Sequence, residues 1–254
     1  MKFVVAIQLV PDLVEELVIA SNAPTLDPDT VRWVVNEFDD YAIEQAILLK
    51  ERYGGSVTVV APALEGADDA LFSAAARGAD VLVKLEGDFD GRNNNHALGR
   101  AFAPVVKALQ PDLVLTGVQA HHQNDGTLGP LLAEELALPY VGYVAGVKIE
   151  NGGAVVRKEY PGGLAAEMEA SLPAVLGIQT PDTPPRYVPI SKIRQAMKTS
   201  KIQEQDAGEL DGAGGLPASR MFVPKSTGRA TMIEGDVDQV AARLVALFKE
   251  QGLL

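Results

Sequence analysis

The sequence predicts an α/β fold in which a parallel sheet is wound on both faces by crossover helices. Three observations predict it. Short β-branched runs occur at residues 3–10, 57–61, 81–85 and 113–117. The stretches between them carry helical periodicity. The runs are continuously apolar, as strands buried on both faces require.

Each element has its own signals. The first run, 3–10, is too short to span a bilayer and leads into Pro11 and Asp12, so it reads as a strand. A helix over 38–52 is marked by Ala42, Ile43, Ala46, Ile47 and Leu49 and stops at Gly54 and Gly55. Further helices are predicted over 68–77 before Gly78, 95–109 before Pro111 and 128–137 before Pro139. Beyond Pro139 the pattern becomes extended at 140–149, 154–160 and 172–178, with turns at Asn151-Gly152-Gly153 and Pro161-Gly162-Gly163. These segments predict antiparallel strands added at the sheet edge. Residues 180–224 are rich in Pro, Gly, Gln, Lys and Asp and bury little of their own, which predicts an extended arm lying on another surface. Val237, Val240, Ala241, Leu244 and Phe248 then fall on one face of a terminal helix. That stripe suits docking on another subunit or packing back on its own domain. No internal repeat is present.

Composition narrows the function. With 47% hydrophobic residues in 254, the chain has enough apolar material for a core without disulfide or metal staples. A net charge of −12 argues against nucleic-acid partners, whose phosphates need clustered Lys and Arg. The absence of cysteine removes disulfides, thiolate nucleophiles and thiolate-held clusters, so a redox role requires an organic cofactor. No stretch approaches about 18 apolar residues, which predicts a soluble, cytoplasmic protein with no direct membrane insertion.

The turn after the fourth strand, GVQAHHQNDGTLGP at 117–130, sits where open parallel sheets bind ligands. Gly117, Gly126 and Gly129 allow close backbone approach. The amides opening the following helix, capped by Asp125 or Thr127, can hold a phosphate. An ordinary glycine-containing turn explains the same residues, and neither Walker nor GxGxxG spacing is present. His121 and His122 are adjacent on a loop without a carboxylate cluster, so no metal site is expected. The run Asn93-Asn94-Asn95-His96 reads as a turn and helix cap, and Glu167 and Glu169 read as a solvated strand face. The segment PPRYVPISKIRQAMKTSK at 184–201 is basic within an acidic protein, which favours encounter with acidic partners. Ile190 and Ile193 are its candidate apolar anchors.

Taken in order, these segments resemble the electron-transfer flavoprotein β-subunit family over nearly the whole chain. The resemblance rests on VVAIQLVPD at 4–12, VNEFDDYAIEQAILLKE at 35–51, AAARGAD at 74–80 and DLVLTGVQA at 112–120. It continues through LPAV at 172–175, PRYVPISKIRQAMK at 185–198 and GRATMIEG before the terminal helix.

This resemblance implies a Rossmann-like, adenine-nucleotide-binding fold with a C-terminal arm ending in a helix. It divides the chain into a nucleotide-binding domain at 1–183, a partner-recognition loop at 184–201 and an arm at 202–254 that docks on an α-subunit. It further implies a heterodimer that shuttles electrons from dehydrogenases, or NADH, to a membrane quinone oxidoreductase or another acceptor, with FAD shared with the α-subunit. The implied pocket uses Ala6, Asn36, Glu37, Phe38, Asp39, Ala61, Pro62, Gly117, Gln119, Ala120, Gln123, Asn124, Asp125, Gly126, Thr127, Leu128 and Gly129. The implied docking residues are Arg186, Tyr187, Ile190, Ile193 and Met197, with Ile190 as the apolar anchor. AMP-binding members read roughly AIDDD, two variable residues, then QTG, whereas this chain has AHHQNDGTLG at 120–129. Gly126, Leu128, Gly129 and Pro130 match members that hold a second FAD and bifurcate electrons, while His122 and Asn124 replace acidic residues. FAD is therefore the expected occupant, with AMP the alternative. A stand-alone nucleotide-binding signalling or stress protein, or an ATP-pyrophosphatase, is the competing reading. No SGG-type phosphate loop follows the first strand, and the arm and basic loop lack a purpose in such proteins.

Overall fold

Strand β1 (Lys2–Ala6) lies inside a nine-stranded sheet in the computed structural model, which describes residues 1–89, 94–123, 126–216, 218–225, 228 and 230–254. The chain leaves β1 through a short strand β2 (Leu9–Pro11), which pairs antiparallel with β3 (Trp33–Val35) as a separate ribbon. It then enters helix α1 (Glu37–Tyr53) and crosses over to β4 (Ser56–Pro62). Helix α2 (Ala67–Arg77) leads to β5 (Val81–Glu86), and α3 (Asn95–Leu109) returns the chain to β6 (Leu113–Gly117). Helix α4 (Leu128–Leu136) is followed by β7 (Tyr140–Glu150), β8 (Gly153–Tyr160), β9 (Leu164–Ser171) and β10 (Ala174–Ile178). Helix α5 (Ile190–Thr199) and β11 (Ile202–Asp206) complete the sheet.

The strand order is β11-β5-β4-β1-β6-β10-β7-β8-β9, with β7, β8 and β9 antiparallel and all other pairs parallel. From β1 the chain winds one way to β4 and β5, then returns to β6 on the other side, so the switch point lies between β1 and β6. Alternation along β1 feeds two cores. Phe3, Val5 and Ile7 pack with residues of α1 and α2, while Val4 and Ala6 pack with residues of α3 and α4.

Three parts differ from the sequence reading. The run at 3–10 is not one strand, because the pairing of β1 with β4 ends at Ala6, with a last bond from the Ile7 N–H to the Val60 carbonyl, and β2 pairs with a different partner. The segment at 172–178 is not an antiparallel edge: β10 is inserted between β6 and β7, parallel to both. All five of its residues are buried, and a strand apolar on both faces belongs inside a sheet. Residues 202–206 are not part of a loose arm but extend the sheet beside β5. Their sequence IQEQD shows no apolar pattern. The pairing relies on the backbone ladder and on the charges of Glu204 and Lys84, whose side chains meet at 3.3 Å across the register.

The chain divides at Met221 and Phe222 into two compact units. The second, Phe222–Leu254, contains helix α6 (Val237–Glu250), opened by a reciprocal cap between Asp236 and Gln239. In the first unit, α5 packs on α2 and buries Ala196. Glu167 and Glu169 on β9 are exposed, as their alternation predicts.

The end of β6 comes so close to the start of α1 that a Cβ at Gly117 would lie 2.8 Å from the Asp39 nitrogen and 2.8 Å from the Phe38 carbonyl carbon. Backbone cannot yield there as a flexible side chain could. Gly117→Ala is therefore expected to lower stability by about 2 kcal/mol through overpacking. Urea unfolding should show a lower midpoint with an unchanged slope, and an unchanged midpoint would rule out the contact.

Candidate functional site

The buried carboxylate of Asp39 organises the carboxyl ends of the central strands. Its Oδ1 accepts the Gly117 backbone N–H at 2.6 Å, and its Oδ2 accepts the Gln8 backbone N–H at 3.1 Å and the Asn36 amide at 2.9 Å. Asn36 also donates to the Gln119 carbonyl at 2.8 Å, and its backbone N–H donates to the Gln8 carbonyl at 3.1 Å. The Gln8 side chain reaches on to Asn95 Oδ1 at 2.9 Å, at the start of α3. One polar cluster thus fastens the exit of β1, the start of α1, the end of β6 and the start of α3 around the switch point. Burial pushes the Asp39 carboxyl from the ordinary 3.8 up to about 6, while the bonds from Asn36, Gly117 and Gln8 pull it down.

Beside this cluster lies a pocket lined by Gln8, Leu9, Trp33, Pro62, Leu64, Phe89, Leu98, His122 and Gln123. Its walls come from the ends of β1 and β4, from β3, from the segment after β5, from α3 and from the loop after β6. Trp33 and His122 meet edge to face with centroids 6.5 Å apart, and His121 Nε2 lies 2.9 Å from the Pro11 carbonyl. The loop after β6 closes on itself through the Gln123 N–H and the Ala120 carbonyl at 3.0 Å.

Helix α4 opens at Thr127, whose side chain makes no capping bond. The first amides of a helix have no intrahelical partner and attract anions. Nearby, the hydroxyls of Thr116, at the end of β6, and Thr127 are buried without a hydrogen-bond partner among the described residues. Such orphaned groups at a helix start, next to an aromatic and apolar pocket, fit a ligand that carries phosphate on one part and a flat ring on another. Gly129 is constrained by the protein itself, since a Cβ there would lie 2.7 Å from the Tyr140 ring and 2.9 Å from Thr116 Oγ1.

Most of the predicted site residues fall into three groups. Pro62 and Gln123 line the pocket directly. Asn36, Asp39, Gly117 and Gln119 form the polar cluster, and Ala6, Ala61, Ala120 and Leu128 are buried around it. Gly126, Thr127 and Gly129 lie at the start of α4. Glu37 is exposed and accepts the Tyr41 hydroxyl at 2.5 Å, while Phe38 packs edge to face on Tyr41. Asn124 and Asp125 lie outside the described residues. Asn94 caps α3 by accepting the N–H groups of His96 and Ala97, both at 3.0 Å. Gln8, Leu9, Trp33, Leu64, Phe89, Leu98 and His122 were missed as pocket residues. Gln8 carried a signal, because a polar residue within an apolar run must find buried partners.

Among the predicted docking residues, Tyr187, Ile190 and Met197 are exposed and Ile193 is half-buried. Arg186 faces inward. It donates to the buried Glu44 from Nε at 2.8 Å and from its backbone N–H at 3.2 Å, and it grips Glu51 with Nη1 at 2.6 Å and Nη2 at 3.0 Å. This forked pairing raises the guanidinium pKa further and fixes the approach to α5 on α1.

Fold and crevice together define a doubly wound α/β protein with a ligand site at its strand switch. Residues 25–210 match the family model described as "Electron transfer flavoprotein domain". The "Electron transfer flavoprotein subunit beta" of Methylophilus methylotrophus is 32% identical over 98% of each chain, and that of Clostridium acetobutylicum is 32% identical over 99% of each. The "Caffeyl-CoA reductase-Etf complex subunit CarD" of Acetobacterium woodii is 30% identical over 100% of both chains. The chain belongs to the electron transfer flavoprotein β-subunit family. These relatives do not support the alternative of a stand-alone signalling or stress protein.

The raised Asp39 pKa has a definite sign. The folded state holds this proton more tightly than the unfolded chain, so the contribution is fully present below about pH 4 and is lost as pH rises through about 6. Relative to Asp39→Asn, the wild-type protein should lose on the order of 3 kcal/mol of stability between pH 4 and 7. Urea midpoints of both proteins across that range test this. A constant difference between them would mean that the donors, rather than burial, set the pKa.

Proposed function

We propose that this chain is the β-subunit of a cytoplasmic heterodimer that passes electrons from dehydrogenases, or from NADH, to a quinone oxidoreductase or another acceptor. In this reading its own pocket holds FAD, in addition to the FAD shared with the α-subunit, and the heterodimer is of the bifurcating type. The observation that carries the ligand assignment is the pairing of an apolar and aromatic wall at Leu9, Trp33, Leu64, Phe89 and Leu98 with orphaned hydroxyls at the start of α4. The name of the Acetobacterium woodii relative, which joins a reductase to an Etf complex, lends support to a redox assembly.

When bound, FAD would supply reversible uptake of electrons, and the chain's task is to hold and tune it. The α4 amides with Thr116 and Thr127 would bind phosphate oxygens. The pocket wall would exclude water from the ring, and the cluster around Asp39 would keep the strand ends in place. Tyr187, Ile190 and Met197 would meet partner dehydrogenases, with Arg186 positioning them from behind. The apolar stripe of α6, built from Val237, Val240, Ala241, Leu244 and Phe248, would dock on the α-subunit.

Two measurements test this reading. The first is co-expression with the α-subunit, followed by denaturation and quantification of the released nucleotides. Two FAD and no AMP per heterodimer are expected; one FAD and one AMP would make the protein a simple shuttle. The second is Ile190→Ala, which should weaken dehydrogenase docking roughly ten- to a hundred-fold by removing about 1.5 to 3 kcal/mol of apolar burial while leaving the heterodimer intact. Unchanged electron-exchange kinetics with every dehydrogenase tried would remove Ile190 from the interface.

A further inference from the structure

Tyr143 adopts a left-handed backbone conformation, with φ at 60°, that a bulky residue tolerates only where its surroundings impose it. It sits at an irregularity in β7, where the register shifts between Val144 and Val147 against β8 and between Leu176 and Ile178 of β10. The consequence is positional. The Tyr143 hydroxyl comes within 3.9 Å of where a Cβ on Gly126 would stand, just before α4 begins. The strained residue therefore borders the same loop that leads to the orphaned threonine hydroxyls.

Val144 is paired in register with Lys158 of β8. The Lys158 ammonium lies 5.7 Å from the centroid of the Tyr143 ring and 5.5 Å from that of Tyr160. Both rings are nearly half exposed, at 47% and 45%, so they hold the cation without enclosing it. Lys158 itself is half-buried and forms no ion pair among the described residues, whereas its neighbour Arg157 pairs with Glu159. In a chain with 34 acidic and 22 basic side chains, carboxylates are abundant. A partly desolvated ammonium left without one is available to an anion from outside the chain.

We propose that Lys158, held between Tyr143 and Tyr160, is an anion subsite that extends the nucleotide pocket past the start of α4. It receives the negatively charged group of the ligand that follows the first phosphate. This rests on the reading of the pocket as a nucleotide site and adds a residue that discriminates ligands by their second charge. On this proposal a mononucleotide stops short of Lys158, and a nucleoside diphosphate or a dinucleotide reaches it.

The test uses the heterodimer that keeps the FAD shared with the α-subunit but is freed of nucleotide in the β pocket, titrated with AMP, ADP and FAD, for the wild-type chain, Lys158→Met and Lys158→Arg. Lys158→Met is expected to weaken ADP and FAD about ten-fold, the scale of one charged hydrogen bond, and to leave AMP within about two-fold. Lys158→Arg should recover most of the loss. A loss for FAD alone, with ADP unaffected, would overturn the assignment of Lys158 to the second phosphate. Equal losses for all three ligands, no loss for any, or a defect confined to heterodimer assembly would overturn the proposal; the last outcome would turn Lys158 toward the partner subunit. A wild-type heterodimer that binds AMP but neither ADP nor FAD overturns the Lys158 subsite and leaves the nucleotide pocket standing. One that binds none of the three overturns both.

Discussion

A single buried carboxylate holds the mouth of this fold together. Asp39 is 1% exposed, yet it receives three hydrogen bonds, one from its neighbour Asn36 before α1 and two from segments distant in sequence, Gln8 after β1 and Gly117 at the end of β6. A charge taken out of water is costly unless donors replace its hydration, and here the donors are the backbone at the exits of β1 and β6. The carboxylate can therefore stay buried only if those two exits and the start of α1 converge. The crevice at the strand switch is the shape that results from this convergence.

The pocket depends on this arrangement from both sides. Gln8, fixed by Asp39 through its backbone and by Asn95 through its side chain, forms part of the pocket lining. Gln119, tied to Asn36, leads into the loop that carries His122 and Gln123. On the far side of that loop, the uncapped start of α4 and the lone hydroxyls of Thr116 and Thr127 leave donors for an anion. Polar atoms satisfied within the cluster hold the architecture, and those left unsatisfied beside it are open to a ligand of the kind proposed.

A second charged group fixes the outer surface. Arg186 uses its guanidinium on Glu44 and Glu51 of α1, which anchors the segment entering α5 and leaves Tyr187, Ile190 and Met197 outward. A basic segment in an acidic protein invites a reading in which every cation faces a partner. For Arg186 that reading fails, because the buried Glu44 needs a counter-charge from within the chain. Tyr187, Ile190 and Met197 thus stand on a segment mounted on an internal ion pair.

Much of the fold was legible in the sequence because it depends on local periodicity. The strands at 57–61, 81–85 and 113–117 and the helices that follow them, with their glycine and proline stops, appear within one or two residues of where apolar spacing puts them. The turn between β6 and α4 was legible too, since a glycine-containing turn at a strand end is a local feature. What local patterns could not supply was neighbourhood. That β10 lies between β6 and β7, that the polar segment at 202–206 pairs with β5, and that Trp33, Phe89 and Leu98 share a pocket with Gln8 are facts of long-range contact. The sequence by itself determined which segments are strands and helices and which family they compose, because hydrophobic period and turn chemistry are written residue by residue. Only the tertiary structure decided that Asp39 is buried, that Arg186 turns onto Glu44 and Glu51 of its own chain, and that Lys158 stands between two tyrosines. The partner of a charge is chosen by proximity in space, and no spacing along the chain encodes it.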